Sequence, residues 1–300
     1  MITRSLIKQL AKELDFDICG VTQTTPLLQN RAYFDEWAGS GYAEPLEYMS
    51  RYQDVRFDPS KLIDNGRSII VCGVNYKNKY SLTQGDSTSP RIASYALNRD
   101  YHKTLRNRLK TLLKALQSHH PTLNGRCFTD SAPLLEKQLA VNCGLGWIGR
   151  QSLLITPEFG SFVLLGEIVI NHEVDSYDSP LKEDRCGECR ACVNSCPVGA
   201  INNNRTIDTR RCISCRTVEV EDSSDLTLNG WIFGCDECQS CCPHNQRTPM
   251  SKNSDFTPIV TPPNSQEWRV INEDEFMLEF GTTPLKRAGI ERIKQSLEKI

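Results

Sequence analysis

The chain has 300 residues, 39% hydrophobic and 24% charged, with a net charge of −2 and a mean hydropathy of −0.43. That is enough soluble-type sequence to bury a large core without covalent staples. No apolar run approaches the ~20 residues of a membrane helix, so a helical membrane protein is excluded. The opening MITRSLIKQLAKELDFD reads as an amphipathic helix bearing both signs of charge rather than as a signal peptide. A cytoplasmic, reducing setting is therefore expected for the 14 cysteines, where structural disulfides are disfavoured.

Residues 1–172 read as alternating helix and strand. Leu6, Leu10 and Leu14 give a helical stripe, and ICGVT (18–22) a short strand. The β-branched run at 67–76 has the pattern of a strand buried on both faces, and 86–90 (DSTSP) that of a loop. The clearest helix runs over 100–120, with Leu105, Leu109, Leu112, Leu113 and Leu116 on one face. A strand at 125–130 is followed by a helix opened by Pro133 and capped by Gly144. Residues 152–171 predict a hairpin turning at 157–160. Residues 251–300 begin as a Pro-rich linker and end in a charged helix.

The cysteines are segregated. Four lie in the first 185 residues and ten between Cys186 and Cys242. The first block is Cys186-x2-Cys189-x2-Cys192-x3-Cys196-Pro197, the bacterial ferredoxin spacing, in which three cysteines hold one four-iron cluster and the fourth reaches the other. Zinc sites have no need of a fourth cysteine followed by proline. The second block is Cys235-x2-Cys238 with adjacent Cys241, Cys242 and Pro243. Alignment on its Cys-Pro makes Cys242 the crossing ligand, so one cluster takes Cys186, Cys189, Cys192 and Cys242. The other takes Cys196, Cys235 and Cys238 and needs one more, for which Cys212 is better placed than Cys215. Two such clusters form a one-electron wire, and the preceding domain is the expected terminus.

Within that domain, Asp130 lies at a strand-to-helix transition, as a helix N-cap or as a general acid whose pKa burial would raise. GLGWIGR (144–150) is not in a nucleotide-binding context, since a helix precedes it and a strand follows; simple turns, or close backbone approach to a large flat ligand, fit it better. Asp100-Tyr101-His102 begins a cobalt-ligating pattern, Asp-x-His-x-x-Gly, that fails because Leu105 replaces the glycine. Residues 91–150 hold ten Lys and Arg against three acids, a local charge of +7. Lys103, Arg106, Lys110 and Lys114 form a stripe opposite the leucines, either a solvated face or a phosphate track.

Five ordered motifs, SYALNRDYH (94–102), CFTDSAPLLEKQLA (127–140), GLGWIGR, the CxxCxxCxxxCP block and GCDECQSCCPHN (234–245), make the sequence similar to epoxyqueuosine reductases; the likeness continues through FGTTPLKR (280–287). The resemblance implies reduction of epoxyqueuosine to queuosine at the wobble position of tRNA, with cobalamin and two 4Fe-4S clusters as cofactors. It implies Asp130 as proton donor, Cys186, Cys189, Cys192 and Cys242 on one cluster, and Cys196, Cys212, Cys235 and Cys238 on the other. Cobalamin contacts would fall at Arg56, Tyr95, Asp130, Gln151, Ser152, Leu154, Gly160, Ser161 and Ser214, and tRNA contacts at Lys103, Arg106, Lys110 and Arg216. Cys215 and Cys241 replace residues that are usually not cysteine in this family.

The expected architecture is an α/β (or α+β) cobalamin-binding domain over 1–172, a ferredoxin-like two-cluster module over 173–250, and a linker with a C-terminal helical segment over 251–300. An external donor such as a flavodoxin or ferredoxin would supply electrons to a monomer away from any membrane. The rival readings are a corrinoid reductive dehalogenase, which shares the cofactor plan, and a ferredoxin-type electron carrier with no substrate.

Overall fold

The computed structural model describes residues 2–82, 90–220 and 227–300. The first half runs α1 (Arg4–Glu13), β1 (Ile18–Gln23), α2 (Leu28–Gly39), α3 (Gln53–Arg56), β2 (Ser68–Asn75), β3 (Arg91–Ile92) and α4 (Tyr101–His119). It continues through β4 (Gly125–Phe128), α5 (Glu136–Asn142), β5 (Trp147–Ile148), β6 (Leu154–Ile155) and β7 (Val163–Ile170). The cysteine-rich stretch contributes α6 (Ala191–Ser195), α7 (Ile213–Val218), β8 (Trp231–Phe233), α8 (Glu237–Ser240) and α9 (Pro243–Gln246). Then come α10 (Ser265–Val270), α11 (Glu273–Phe280) and α12 (Gly289–Leu297). The loop expected at 86–90 lies, apart from Pro90, outside the described residues.

The main sheet has the order β1-β2-β7-β4, every pair antiparallel, which makes the domain α+β. Helices cover both of its faces. On one, Ile7 and Ala11 of α1 and Leu105, Leu109, Leu112 and Leu116 of α4 pack against Val21, Ile70, Ile168 and Ile170. On the other, Phe34 of α2 and Leu139 and Ala140 of α5 pack against Ile69, Val71, Leu165 and Val169. Each fully buried leucine of α4 contributes about 1.5–3 kcal/mol. Because both faces are covered, all of β2 is buried, as its unbroken apolar run predicts.

Several elements depart from the sequence expectation. In α1 the buried positions are Ile7 and Ala11, with Leu10 and Leu14 at the edge of the core. The helix after Asp130 starts at Glu136, not at Pro133, because residues 129–134 close two tight turns, Ser131 N to Thr129 O and Leu134 N to Ala132 O. Residues 152–171 are not one hairpin. The strand β6 pairs with β5, β7 pairs with β2 and β4, and only a Thr156–Gly160 bridge closes the expected turn. A side chain at Gly146 would meet Ile155 O at 2.2 Å, so the close β5–β6 approach, not a flat ligand, explains that glycine.

The C-terminal segment is more than a linker and one helix. Trp268, Phe276, Phe280, Leu285, Ile290, Ile293 and Leu297 build a third core with Ile92, Ala96, Leu97, Ile232 and Phe233. Its centre is the parallel pairing of β3 with β8, which joins the first half of the chain to the cysteine-rich stretch.

Candidate active site

The strand β4 ends at Phe128, and the chain turns at buried Thr129 to present Asp130, whose φ of +56° is left-handed. Asp130 does not cap a helix. Its Oδ2 accepts from Tyr101 Oη at 2.9 Å and from His102 Nε2 at 3.0 Å. Both partners stand on the first turn of α4, which the buried leucine face orients and which Asp100 caps through the His102 amide. His102 Nδ1 lies 2.7 Å from Asp100 Oδ1. With a carboxylate oxygen at each nitrogen, the ring satisfies both only as an imidazolium.

Burial opposes that charge, but hydrogen bonds to Asp100 and Asp130 outweigh it and lift the His102 pKa to about 9. The His102 hydrogen bond in turn holds Asp130 below the usual carboxylate range against its burial, with Tyr101 and the Arg287 charge adding to the effect. This corrects the expectation of a raised Asp130 pKa. At neutral pH the proton resides on His102, and Asp130 is its ionised partner. Burial, then the Asp130 charge, keep Tyr101 in its phenol form.

The groups whose charges act on Asp130, or on which its charge acts, come from several parts of the chain. Tyr48 is pushed up to about 12 by burial and by the charges of Glu219 and Asp130. Tyr95 stands 6.2 Å from Tyr101 and 6.4 Å from Phe233, ring to ring. Arg287, paired with Glu219 at 2.5 Å, faces Asp130 from the C-terminal side. Arg56 is buried and donates to Tyr48 O at 3.2 Å, yet its Nε has no acceptor among the described residues.

Cys186, Cys189, Cys192 and Cys242 line one pocket together with Gln151 and His244. Trp147 Nε1 points at Cys186 Sγ, 3.4 Å away. Cys212 has Cys196, Cys235 and Cys238 as electrostatic neighbours, and Cys238 also senses Cys192, so the two sets adjoin. Cys241 is outside the lined pocket and hydrogen-bonds Ser195, while buried Cys215 hydrogen-bonds Thr209. Among the described residues no three potential ligands stand close enough to hold a single metal ion.

Other nominated residues divide by what they touch. Gln151 is buried with its Nε2 lacking an acceptor, so Arg56 and Gln151 both keep a buried donor for a polar ligand. Asn98, which the sequence reading passed over, is 1% exposed with both amide atoms unpartnered among the described residues. By contrast Ser161 is engaged by protein, its N donating to Asn245 Oδ1 at 2.7 Å and its Oγ to Gln239 Oε1 at 2.9 Å. A side chain at Gly160 would strike Asn245 Oδ1. Leu154 is core, Ser152 donates to the Arg205 carbonyl, and Ser214 is half-buried on α7. Lys103 is exposed on α4. Arg106 and Lys110 join Arg126, Cys127, Thr129 and Ser131 around an open cleft of about 400 Å³ next to Asp130. Arg216 sits apart on α7.

Residues 56–131 match the family model "Epoxyqueuosine reductase QueG, DUF1730", and residues 185–245 match "4Fe-4S double cluster binding domain". The epoxyqueuosine reductase of Cyclobacterium marinum is 34% identical over 296 residues, covering 97% of this chain and 94% of that protein. The Escherichia coli K12 epoxyqueuosine reductase is 36% identical over 292 residues, covering 94% and 76%. The crystal structure of an epoxyqueuosine reductase with an epoxyqueuosine-modified tRNA-Tyr stem loop has the same fold, with a TM-score of 0.83 at 24% identity over 98% of this chain and 79% of that one. At this identity and coverage the chain belongs to the epoxyqueuosine reductase family of oxidoreductases.

Proposed function

We propose that this chain reduces epoxyqueuosine in tRNA to queuosine, using cobalamin and two 4Fe-4S clusters. The observation that carries the reading is the hydrogen-bonded Tyr101–His102–Asp130 group at the end of β4, beside an open cleft lined by Arg106, Lys110 and Arg126, in a chain of this family. Converting the epoxide to an alkene takes two electrons and two protons and releases the oxygen as water. Bound cobalamin, reduced through the clusters by an external flavodoxin- or ferredoxin-type donor, supplies the electrons. The residues assigned to it are Arg56, Gln151 and Asn98, each of which keeps a buried polar atom (Arg56 Nε, Gln151 Nε2, both Asn98 amide atoms) with no partner among the described residues, together with Tyr95 and Asp130.

His102 stores a proton on Nε2, and Asp130, 3.0 Å away, passes it to the departing oxygen, which would otherwise leave as an alkoxide; His102 is then recharged from solvent, and the second proton that completes the water follows the same route. Asp100 keeps the ring charged and oriented, and Tyr101 fixes the carboxylate from a second direction. The assignment by segment is 1–172 for cofactor and proton chemistry, 173–250 for electron delivery, and 251–300 for closing the third core.

Anaerobic protein loaded with both cofactors, given a low-potential reductant and tRNA bearing epoxyqueuosine, is expected to yield queuosine by nucleoside mass spectrometry. Unchanged epoxyqueuosine would overturn the reading.

Lys103, Arg106 and Lys110, with Arg126 beside them and Arg216 on the module, are assigned to the tRNA backbone. Changing Lys103, Arg106 and Lys110 together to Gln is expected to weaken tRNA binding and flatten its salt dependence. In duplex regions, every phosphate that is no longer neutralised lowers the log–log slope by about 0.9. An unchanged slope would make the stripe a solvated helix face.

A further inference from the structure

Glu167 stands in the middle of β7, in the run VLLGEIVI. Strand alternation puts it on the same face as Leu165 and Val169, toward α5, and its cross-strand neighbours are Val71 and Phe128. The residue is 0% exposed, and neither carboxyl oxygen receives a hydrogen bond from any described donor. A carboxylate alone in such a core is too costly to persist, so this one is neutral and must find an acceptor for its proton. The carboxyl of Glu136, at the start of α5, is its hydrogen-bonding neighbour. Glu136 Oε1 accepts the Asp130 amide at 2.6 Å, the length of a charge-assisted bond.

We propose that Glu167 and Glu136 form a proton-sharing latch that holds the Asp130 loop in place, Glu167 donating its O–H to Glu136 and Glu136 accepting the N–H of Asp130. The loop needs such a hold. It carries Asp130, a non-glycine residue at φ +56°, as the central residue of the tight turn closed by Ser131 N to Thr129 O, a left-handed conformation that the surroundings must hold in place. Both glutamates are positioning residues, and the inference rests on the reading of Asp130 as the group that delivers the proton.

The latch has a defined pH response. Burial, then the Asp130 charge, push Glu136 up to about 7, while burial and Glu136 push Glu167 far higher. The other charged groups facing the pair and the loop are Lys137, Asp130, His102 and Arg287. His102, at about 9, and Asp130, held low, do not change charge between pH 6 and 8. As pH rises through about 7, Glu136 gains its charge and the bond to the Asp130 amide tightens.

Hydrogen exchange of a peptide spanning 127–135, read by mass spectrometry and corrected for intrinsic rate, tests this without turnover. In the cofactor-loaded protein, protection of the Asp130 amide is expected to rise roughly tenfold from pH 6 to pH 8, the difference between a neutral and a charge-assisted bond. Glu136→Gln, which still accepts but cannot ionise, should abolish the step. Glu167→Gln, which still donates, should keep it near its wild-type position. Glu167→Leu should move it to higher pH, because Glu136 then loses the donor that favours its charged form. A pH-independent amide in the wild type, or an unshifted step in Glu167→Leu, would overturn the latch. Protein that shows the step but does not reduce epoxyqueuosine supports the latch and overturns only the functional reading. Protein that reduces epoxyqueuosine with a flat amide profile overturns only the latch.

Discussion

Asp130→Asn is expected to lower turnover about 10²-fold or more, the usual range for loss of general acid catalysis. Folding should change little. Asn adopts the left-handed conformation at least as readily as Asp, and the half-exposed ion pair with His102 contributes little stability. Iron content and cobalamin binding should therefore match the wild type. The pH profile separates a proton role from a steric one. The wild-type rate should fall as pH rises through about 9, where His102 gives up the proton that Asp130 passes on. In Asp130→Asn that limb should move down toward the ordinary histidine value of about 6.5, with Asp100 holding it part of the way. A wild-type rate in the variant, with the limb still near 9, would remove Asp130 from the proton path.

Cys242→Ser is expected to abolish turnover by removing one cluster, leaving about four of the roughly eight irons that two cubanes imply. Cys241→Ser should keep them all. Cys242 lines the pocket with Cys186, Cys189 and Cys192, whereas Cys241 lies outside it on Ser195. Iron and acid-labile sulfide analysis of anaerobically purified variants decides the matter. The opposite outcome, iron lost with Cys241→Ser and kept with Cys242→Ser, would show that the register is displaced by one residue.

Local periodicity and spacing carried the sequence reading where they applied. Four of the five leucines of α4, Leu105, Leu109, Leu112 and Leu116, are buried against the sheet while Leu113 lies at the edge beside the open cleft, and the unbroken run of β2 is buried on both sides. What failed was non-local. Nothing at Asp130 itself announces that His102, 28 residues earlier, reverses the effect of burial on its carboxyl. The lone glutamate of VLLGEIVI was a visible signal, because an acid on an apolar strand face demands a partner, but its partner could not be named from one strand. The helices α10 and α11 were announced by capping boxes, Asn264 with Glu267 and Asn272 with Glu275, that the Pro-rich composition around them obscured.

The parallel pairing of β3 with β8 sets an order of events as the chain is made. Arg91 and Ile92 meet Trp231 and Phe233 only after the intervening 138 residues, including most of the cysteines, have left the ribosome. Contacts of such separation close late, because their loop entropy must be overcome before any burial rewards them. The third core then waits further still, for Trp268 through Leu297. Until then the segments that flank the cysteine-rich stretch have no partner to pack against, so that stretch is among the last parts of the fold to be closed.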